Sequence, residues 1–339
     1  MDVFALTRAL IDLESTTGRE APAVNYLFAH LNPLVAAHKG TIERMPAGSG
    51  RDNVLAIFGQ PVATLSTHID TVPPFFPSRE DDTNIYGRGS CDAKGIIAAM
   101  VSAAEALLTG GTRNFALLFV VGEERDSAGA RAAAANPRGS QFLINGEPTE
   151  NLLALGSKGA LRFELIATGK AAHSAYPELG HSAIHTLLEV LHELRRMPLP
   201  SDPLLGATTL NVGLISGGRA PNVIADHAQA EIMYRTVGDL SAIRREVARL
   251  AANRLEAREV HFSEAVHMQP LAGYPTTVVS FATDIPIFNG SWGRPLLVGP
   301  GSIHMAHTAN EHIAKKDLLA AVNIYAQMVR QLVGSGAVS

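Results

Sequence analysis

Five short segments of this chain concentrate side chains that could do metal or acid–base chemistry. In Ala63–Pro73 an apolar run ends in His68-x-Asp70, followed by Pro73. Residues two apart on a strand share a face, so Asp70 could hold the His68 imidazole in one tautomer, as carboxylates do for metal-bound histidines. Alone, the same pattern also reads as a strand-end turn with two solvated polar side chains. The segment Gly87-Arg88-Gly89-Ser90-Cys91-Asp92-Ala93-Lys94-Gly95 puts Asp92 just ahead of a helical stretch, where it could bind metal or cap the helix. The order needed for a phosphate loop is absent. Gly122-Glu123-Glu124 sets two adjacent carboxylates after a buried apolar run. Adjacent side chains diverge, so one can face a metal while the other faces a substrate; a solvated acidic turn with Arg125-Asp126 is the plainer alternative. Glu147 follows another apolar run, and Gly299–Glu311 offers His304 and His307 in a glycine-rich loop.

The elements that must position these groups can be read from apolar periodicity. Amphipathic helices are predicted at about Val3–Glu14 and Glu20–Leu31, split by Ser15-Thr16-Thr17-Gly18. Short apolar runs at Asn53–Phe58, Val62–Ser66, Phe115–Val121 and Gln141–Ile144 read as buried strands, with helices at Gly95–Leu108 and Ser127–Ala135. That alternation predicts an α/β fold with a largely parallel sheet. The middle differs: strand Ala160–Thr168, helix His181–Arg196, strands Thr208–Ile215 and Ala228–Thr236, helix Leu240–Arg254 and strand Glu259–Ala265. This β-α-β-β-α-β order is an α+β, ferredoxin-like unit. A strand at Pro295–Val298 and a helix at Lys316–Val333 resume the first pattern. The expected organisation is a catalytic domain of residues 1–158 and 268–339, interrupted by a domain of residues 159–267.

In this arrangement all five groups fall just after a strand or just before a helix. Loops at the carboxyl ends of parallel strands converge on one edge of the sheet, where ligands bind; scattered solvated turns would have no reason to share that placement. Histidine and carboxylate without cysteine suits zinc, with cobalt or manganese as substitutes.

Composition narrows the class further. The chain has 339 residues, of which 46% are hydrophobic and 18% charged, so it can build a core and is not a disordered chain. With 28 basic and 32 acidic residues the net charge is −4, and no basic run argues for nucleic acid or an anionic membrane as partner. The single cysteine, Cys91, excludes an intrachain disulfide and a multi-cysteine metal site. No signal-peptide pattern or long apolar span is evident, so a cytoplasmic protein is expected.

The segments His68-x-Asp70-Thr71-Val72-Pro73, Gly87-Arg88-Gly89-x-x-Asp92-x-Lys94-Gly95, Gly122-Glu123-Glu124, Gly146-Glu147-Pro148-Thr149 and Ala306-His307-x-x-Asn310-Glu311 together resemble the dinuclear zinc deacylases and exopeptidases. That family includes acetylornithine deacetylase, succinyl-diaminopimelate desuccinylase, aminoacylase and glutamate carboxypeptidase. The resemblance spans nearly the whole chain, and it implies roles. His68 and Glu147 would hold one zinc, Glu124 and His307 the other, and Asp92 would bridge them. Asp70 would orient His68, and Glu123 would be the general base and then acid. In the inserted domain, Gly169–Pro177 resembles the family's lid motif, with His173 reaching the partner subunit's site in a homodimer. Asn222 would contact substrate, and Arg235 would bind a substrate carboxylate.

The implied reaction is hydrolysis of the amide bond of an N-acyl amino acid. A carboxypeptidase or dipeptidase acting on short peptides is the alternative, and a non-catalytic binding homologue the remote one. The chain departs from the family at Gly122, where many members have Asp or Thr, and at Met233, where an acidic residue is frequent.

Overall fold

The computed structural model describes residues 2–336. The chain forms two compact units: one of residues up to Leu155, Met268–Thr277 and from Thr283 onward, the other of Gly156–His267 with Val278–Ala282. The first boundary therefore falls slightly before the expected residue 158. Lys158 already pairs with the second unit's own backbone, its N–H donating to the Val279 carbonyl at 3.2 Å.

The discontinuous unit is built on one sheet. Its strands run in the order Thr41–Pro46, Asp52–Phe58, Phe115–Val120, Ala63–His68, Phe142–Asn145, Arg294–Leu297 and Leu153–Ser157. The four from Phe115–Val120 to Arg294–Leu297 are mutually parallel, and the flanking pairings are antiparallel. Period two explains why Phe115–Val120 is apolar throughout. Phe115, Leu117 and Phe119 enter the core under helices Val3–Ile11, Lys94–Thr109 and Lys315–Gly336. Ala116, Leu118 and Val120 enter a second core with Ala130, Ala133, Phe288 and Trp292 on the opposite face. A strand covered on both faces favours apolar residues at every position. Helix Lys94–Thr109 is buried nearly all round, and Ala98, Ala99, Ala103 and Ala104 keep it thin enough to fit there.

Helix Ala21–Ala37 runs past the expected stop, through Pro33, because Val35 beyond it is still a core residue. A three-stranded sheet of Arg79–Glu80, Asn84–Tyr86 and His312–Ala314 was not anticipated. Its strands are only two or three residues long, too short to show a period.

The inserted unit is a four-stranded antiparallel sheet in the order Thr209–Gly217, His227–Thr236, Gly159–Thr168, Glu256–Ser263. With helices Ala183–Leu194 and Ser241–Ala251 this is the β-α-β-β-α-β arrangement of a ferredoxin-like fold. Leu161, Phe163, Leu165 and Ala167 alternate inward beneath both helices, joined by Leu187, Leu191 and Val247.

Candidate metal centre

Strand register brings the candidate ligands to one edge of the first sheet. His68 lies opposite Val120, and both Ser66 and Leu297 lie opposite Asn145. The strand ending at His68, the loop opening at Gly122 and the turn carrying Glu147 therefore leave the sheet side by side. Two glycines permit the close approach. A Cβ on Gly299 would meet the Glu147 carbonyl oxygen at 2.5 Å, and one on Gly146 would meet Met100 at 2.6 Å.

Asp92 stands at the middle of the cluster with its two oxygens divided. Oδ1 lies 2.9 Å from His68 Nε2, and Oδ2 lies 3.2 Å from His307 Nε2. His307 Nε2 is also 3.0 Å from Glu124 Oε1. Ligand atoms of His68, Asp92 and Glu124 all fall within 4.8 Å of one another. His307 has a φ of 63°, a left-handed conformation that costs a non-glycine residue about 1–2 kcal/mol. Of the two candidate histidines, His307 is the one that the fold places among the carboxylates. His304 is exposed, and its backbone N–H donates to Ser302 Oγ at 3.4 Å. The Cys91 thiol donates to the Ser302 carbonyl at 3.3 Å, and burial raises its pKa, so the donor set is nitrogen and oxygen only.

The electrostatics of the metal-free chain are those of acids crowded together out of water. Burial first, then the Glu147 charge, holds the Glu123 carboxyl well above its ordinary range. Burial, with the Asp92 charge, holds Glu147 well above its range against His68, and burial and Asp92 raise Glu124 against the pull of His307 and His68. Burial works against ionised Asp92 as well, but the two histidines outweigh it and lower its pKa. His307 is pushed up to about 10 by Asp92 and then Glu124, so at neutral pH it carries a proton. Buried carboxylates facing one another need cations between them, and a split carboxylate between two histidines fits a pair of divalent ions.

Asp70 meets His68 at hydrogen-bond distance through its backbone, with its carboxylate farther off. His68 Nδ1 lies 2.9 Å from the Asp70 backbone carbonyl, whereas Asp70 Oδ1 is 3.7 Å away. The strand ends at His68, two residues short of Asp70, so the strict period-two geometry does not extend to it. The Asp70 carboxylate instead accepts the backbone N–H groups of Glu123 at 3.0 Å and Glu124 at 3.2 Å, with the Thr17 hydroxyl at 2.7 Å. It holds the loop that presents the two glutamates.

The departure at Gly122 also has a structural reason. Its φ is 83°, and a Cβ there would run into the Asp126 carboxylate and Arg51. Those two side chains pair at 2.8 Å, and Arg51 continues to buried Glu20 at 3.3 Å.

Sequence reading missed Asp284. It is 2% exposed, with the Ser127 side chain beside its carboxylate as a hydrogen-bonding neighbour that only partly offsets its burial. Burial raises it to about 6, and its charge in turn raises Glu123 and Glu147. The run Thr283-Asp284-Ile285-Pro286 carries a helix-start signature, and a short helix does begin at Ile285. Nothing local signals that the start lies beside the acids.

In the inserted unit His173 and Asn222 sit together on neighbouring loops. His173 bridges to Val223, and the Ser174 N–H donates to the Asn222 carbonyl at 3.0 Å. Both side chains are exposed. Arg235 lies elsewhere, near the opposite end of strand His227–Thr236, paired in register with Ala160. It is half-buried, burial lowers its pKa, and it has no ion pair among the described residues.

Comparison with known proteins shows the same architecture. Residues 64–331 match the sequence profile of peptidase family M20/M25/M40. A peptidase M20 domain-containing protein of Schizosaccharomyces pombe is 38% identical over 97% of this chain and 84% of its own length. A probable carboxypeptidase of Aspergillus terreus is 36% identical over 95% of this chain and 84% of its own. Among solved structures, aminopeptidase PepT of Bacillus cereus aligns with a TM-score of 0.80 at 18% identity, covering 98% of both chains. An M20 family metallo-carboxypeptidase of Sulfolobus solfataricus aligns at 0.78 and 17%, covering 98% of this chain and 99% of that one. A dinuclear metal binding peptidase of Bacillus subtilis aligns at 0.69 and 17%, covering 96% of each.

Proposed function

The chain belongs to peptidase family M20/M25/M40, a family of metal-dependent peptidases, and from that premise we propose that it is a two-metal hydrolase cleaving the amide bond of N-acyl amino acids. The observation that carries the two-metal reading is Asp92, whose oxygens are divided between His68 at 2.9 Å and His307 at 3.2 Å. His68 and Glu147 would hold one ion and Glu124 and His307 the other, with Asp92 between them. Zinc fits these donors best, with cobalt or manganese as substitutes. When bound, such ions lower the pKa of a shared water towards ~7 and polarise the scissile carbonyl.

Glu123 does the proton work. It takes the water's proton as the water oxygen bonds to the carbonyl carbon, then gives that proton to the amide nitrogen as the C–N bond breaks. The products are a carboxylic acid and a free amino acid. A buried carboxyl with a raised pKa is suited to accepting and then returning a proton. Asp70 keeps Glu123 in place by accepting its N–H.

Arg235 is the candidate grip on the substrate carboxylate, since a guanidinium with no ion pair among the described residues can take a carboxylate in bidentate fashion. His173 and Asn222 would meet the reacting carbonyl and the substrate from a second copy of the chain. Strand geometry supports that division. Eight residues separate His227 from Arg235 along one strand, a span of roughly 26 Å, and His173 and Asn222 lie beyond the His227 end. One small substrate cannot reach both groups within a single chain. Strand Thr209–Gly217 has an open edge, with Leu214 63% and Ile215 56% exposed. It offers a surface on which two copies could pair.

A carboxypeptidase acting on short peptides is the second reading, favoured by the likeness to the probable carboxypeptidase of Aspergillus terreus. Both readings release an amino acid with a free carboxylate, so they differ only in the acyl side. The test is a panel of N-acetyl amino acids, matched dipeptides and their C-terminal amides, with zinc or cobalt supplied. Turnover of N-acetyl amino acids and failure on the amides is expected. Turnover of dipeptides alone would give the peptidase reading, and no turnover by fully metallated protein would sink both.

A further inference from the structure

Glu311 closes the last of the five segments, yet it is not among the ligands assigned above. It is fully buried, and its carboxylate is saturated by the loop that carries Asp92. Oε1 accepts the backbone N–H groups of Gly89 at 3.0 Å, Cys91 at 3.2 Å and Asp92 at 3.2 Å. Oε2 accepts Arg88 Nη1 at 2.5 Å. Arg88 is fixed in turn, its Nε donating to the Pro74 carbonyl at 3.2 Å and its guanidinium lying 4.8 Å from the Phe76 ring centre. The Gly87 N–H donates to the Glu311 carbonyl at 3.1 Å.

Converging N–H groups of a glycine loop form a cup for an anion. Here the cup before helix Lys94–Thr109 is filled by the protein's own carboxylate. Three donors from residues 89–92 on one oxygen leave that stretch little freedom, and the direction of the Asp92 side chain follows from it. Glu311 also stands four residues after His307 on the same loop. One side chain therefore ties together the segments carrying Asp92 and His307.

We propose that Glu311 is a positioning residue that sets Asp92 between the two metal sites, so that losing its carboxylate weakens both sites together. This rests on the two-metal reading above. An ion pair with Arg88 that merely stabilised the fold would leave metal affinity alone. Glu311→Gln separates the two. A carboxamide keeps the shape but has one oxygen, and whichever way it lies its NH₂ faces donors, either Arg88 or the backbone cup.

Metal-stripped wild type and variant are titrated with cobalt(II), following stoichiometry, dissociation constants and the visible spectrum. Thermal unfolding of the metal-free forms is measured separately. Wild type should bind two ions per chain; fewer than two would overturn the two-metal reading and this proposal with it, and is seen without any variant. For Glu311→Gln the expected result is roughly 10- to 100-fold weaker binding at both sites with an altered cobalt spectrum, and an unchanged KM once metal is saturating. Glu311→Asp, which keeps the charge on a shorter arm, should fall between. Wild-type affinity and spectrum in Glu311→Gln, even with a lowered melting temperature, would overturn the proposal. So would failure of both variants to fold, which would assign Glu311 to the fold alone.

Discussion

Glu123 and Glu124 are neighbours with different surroundings, and the difference predicts different failures. Glu124 faces His307 at 3.0 Å, whereas Glu123 has no histidine at hydrogen-bond distance among the described residues and is raised chiefly by burial and Glu147. Glu123→Gln should therefore keep both ions and lose turnover by about a hundredfold to ten-thousandfold, the usual worth of a proton-transfer group. Glu124→Gln should lose one ion first, and excess metal should restore part of its rate. Equal metal content and equal residual rates in the two variants would refute this division. Asp284 makes a prediction about pH. Its folded pKa of about 6 lies above its ordinary 3.8, so it favours the folded state fully below the unfolded value and loses that contribution as pH rises through about 6. Asn cannot ionise. In the metal-free protein Asp284→Asn should match wild type near pH ~4 and be more stable near pH ~8, by on the order of 2–3 kcal/mol. Melting curves at the two pH values check this, and a variant no more stable at high pH would show that Asp284 ionises without penalty.

The elements carry these residues through close backbone contact, and Gly299 is the sharpest case. An added methyl there would press on the Glu147 carbonyl oxygen at 2.5 Å and its nitrogen at 3.1 Å. Backbone cannot rotate away as a side chain can, so Gly299→Ala should destabilise the chain by about 1–3 kcal/mol. It should also weaken the metal site that Glu147 serves more than the one that Glu124 serves. Two sites weakened equally would mean that the strain spreads through the sheet. This contact was invisible in the sequence, and it marks where legibility ends. Strand Phe115–Val120 and helix Lys94–Thr109 were readable because the apolar pattern of a segment, unbroken or periodic, is the direct mark of its burial. The β-α-β-β-α-β order of the insertion was readable for the same reason. The segments holding Asp92, Glu124 and His307 were readable because residue type and spacing are local. The hydrogen bonds of the Asp70 carboxylate to the Glu123 loop were not legible, because the strand stops at His68 and the chain turns before Asp70. Asp284, the Glu311 cup and the strands His312–Ala314 and Asn84–Tyr86 depend on contacts between segments up to some 220 residues apart, which no local pattern reports.

At the scale of the whole molecule the question is how many chains make one active site. His173 and Asn222 share one end of the inserted sheet, and Arg235 stands near the other. His173 is exposed on a loop, and taken alone an exposed histidine is more often an ordinary surface residue. The strand length between it and Arg235 changes that balance if both are to touch one small substrate, because a second chain is then required. No helix among the described residues is long and apolar enough to cross a membrane. Two inactive chains, His173→Ala and Glu123→Ala, are co-expressed with different tags, and the doubly tagged species is isolated. In a mixed dimer one site has lost both groups, while the other has Glu123 from one chain and His173 from its partner. Under random pairing half the dimers are mixed, each with one working site of two, so the unfractionated mixture should recover roughly a quarter of wild-type activity, and the isolated mixed dimer roughly half. Each parent alone should stay inactive at any concentration. If the mixed dimer is as inactive as its parents, His173 acts within its own chain or not at all, and the open edge of Thr209–Gly217 must be explained without catalysis.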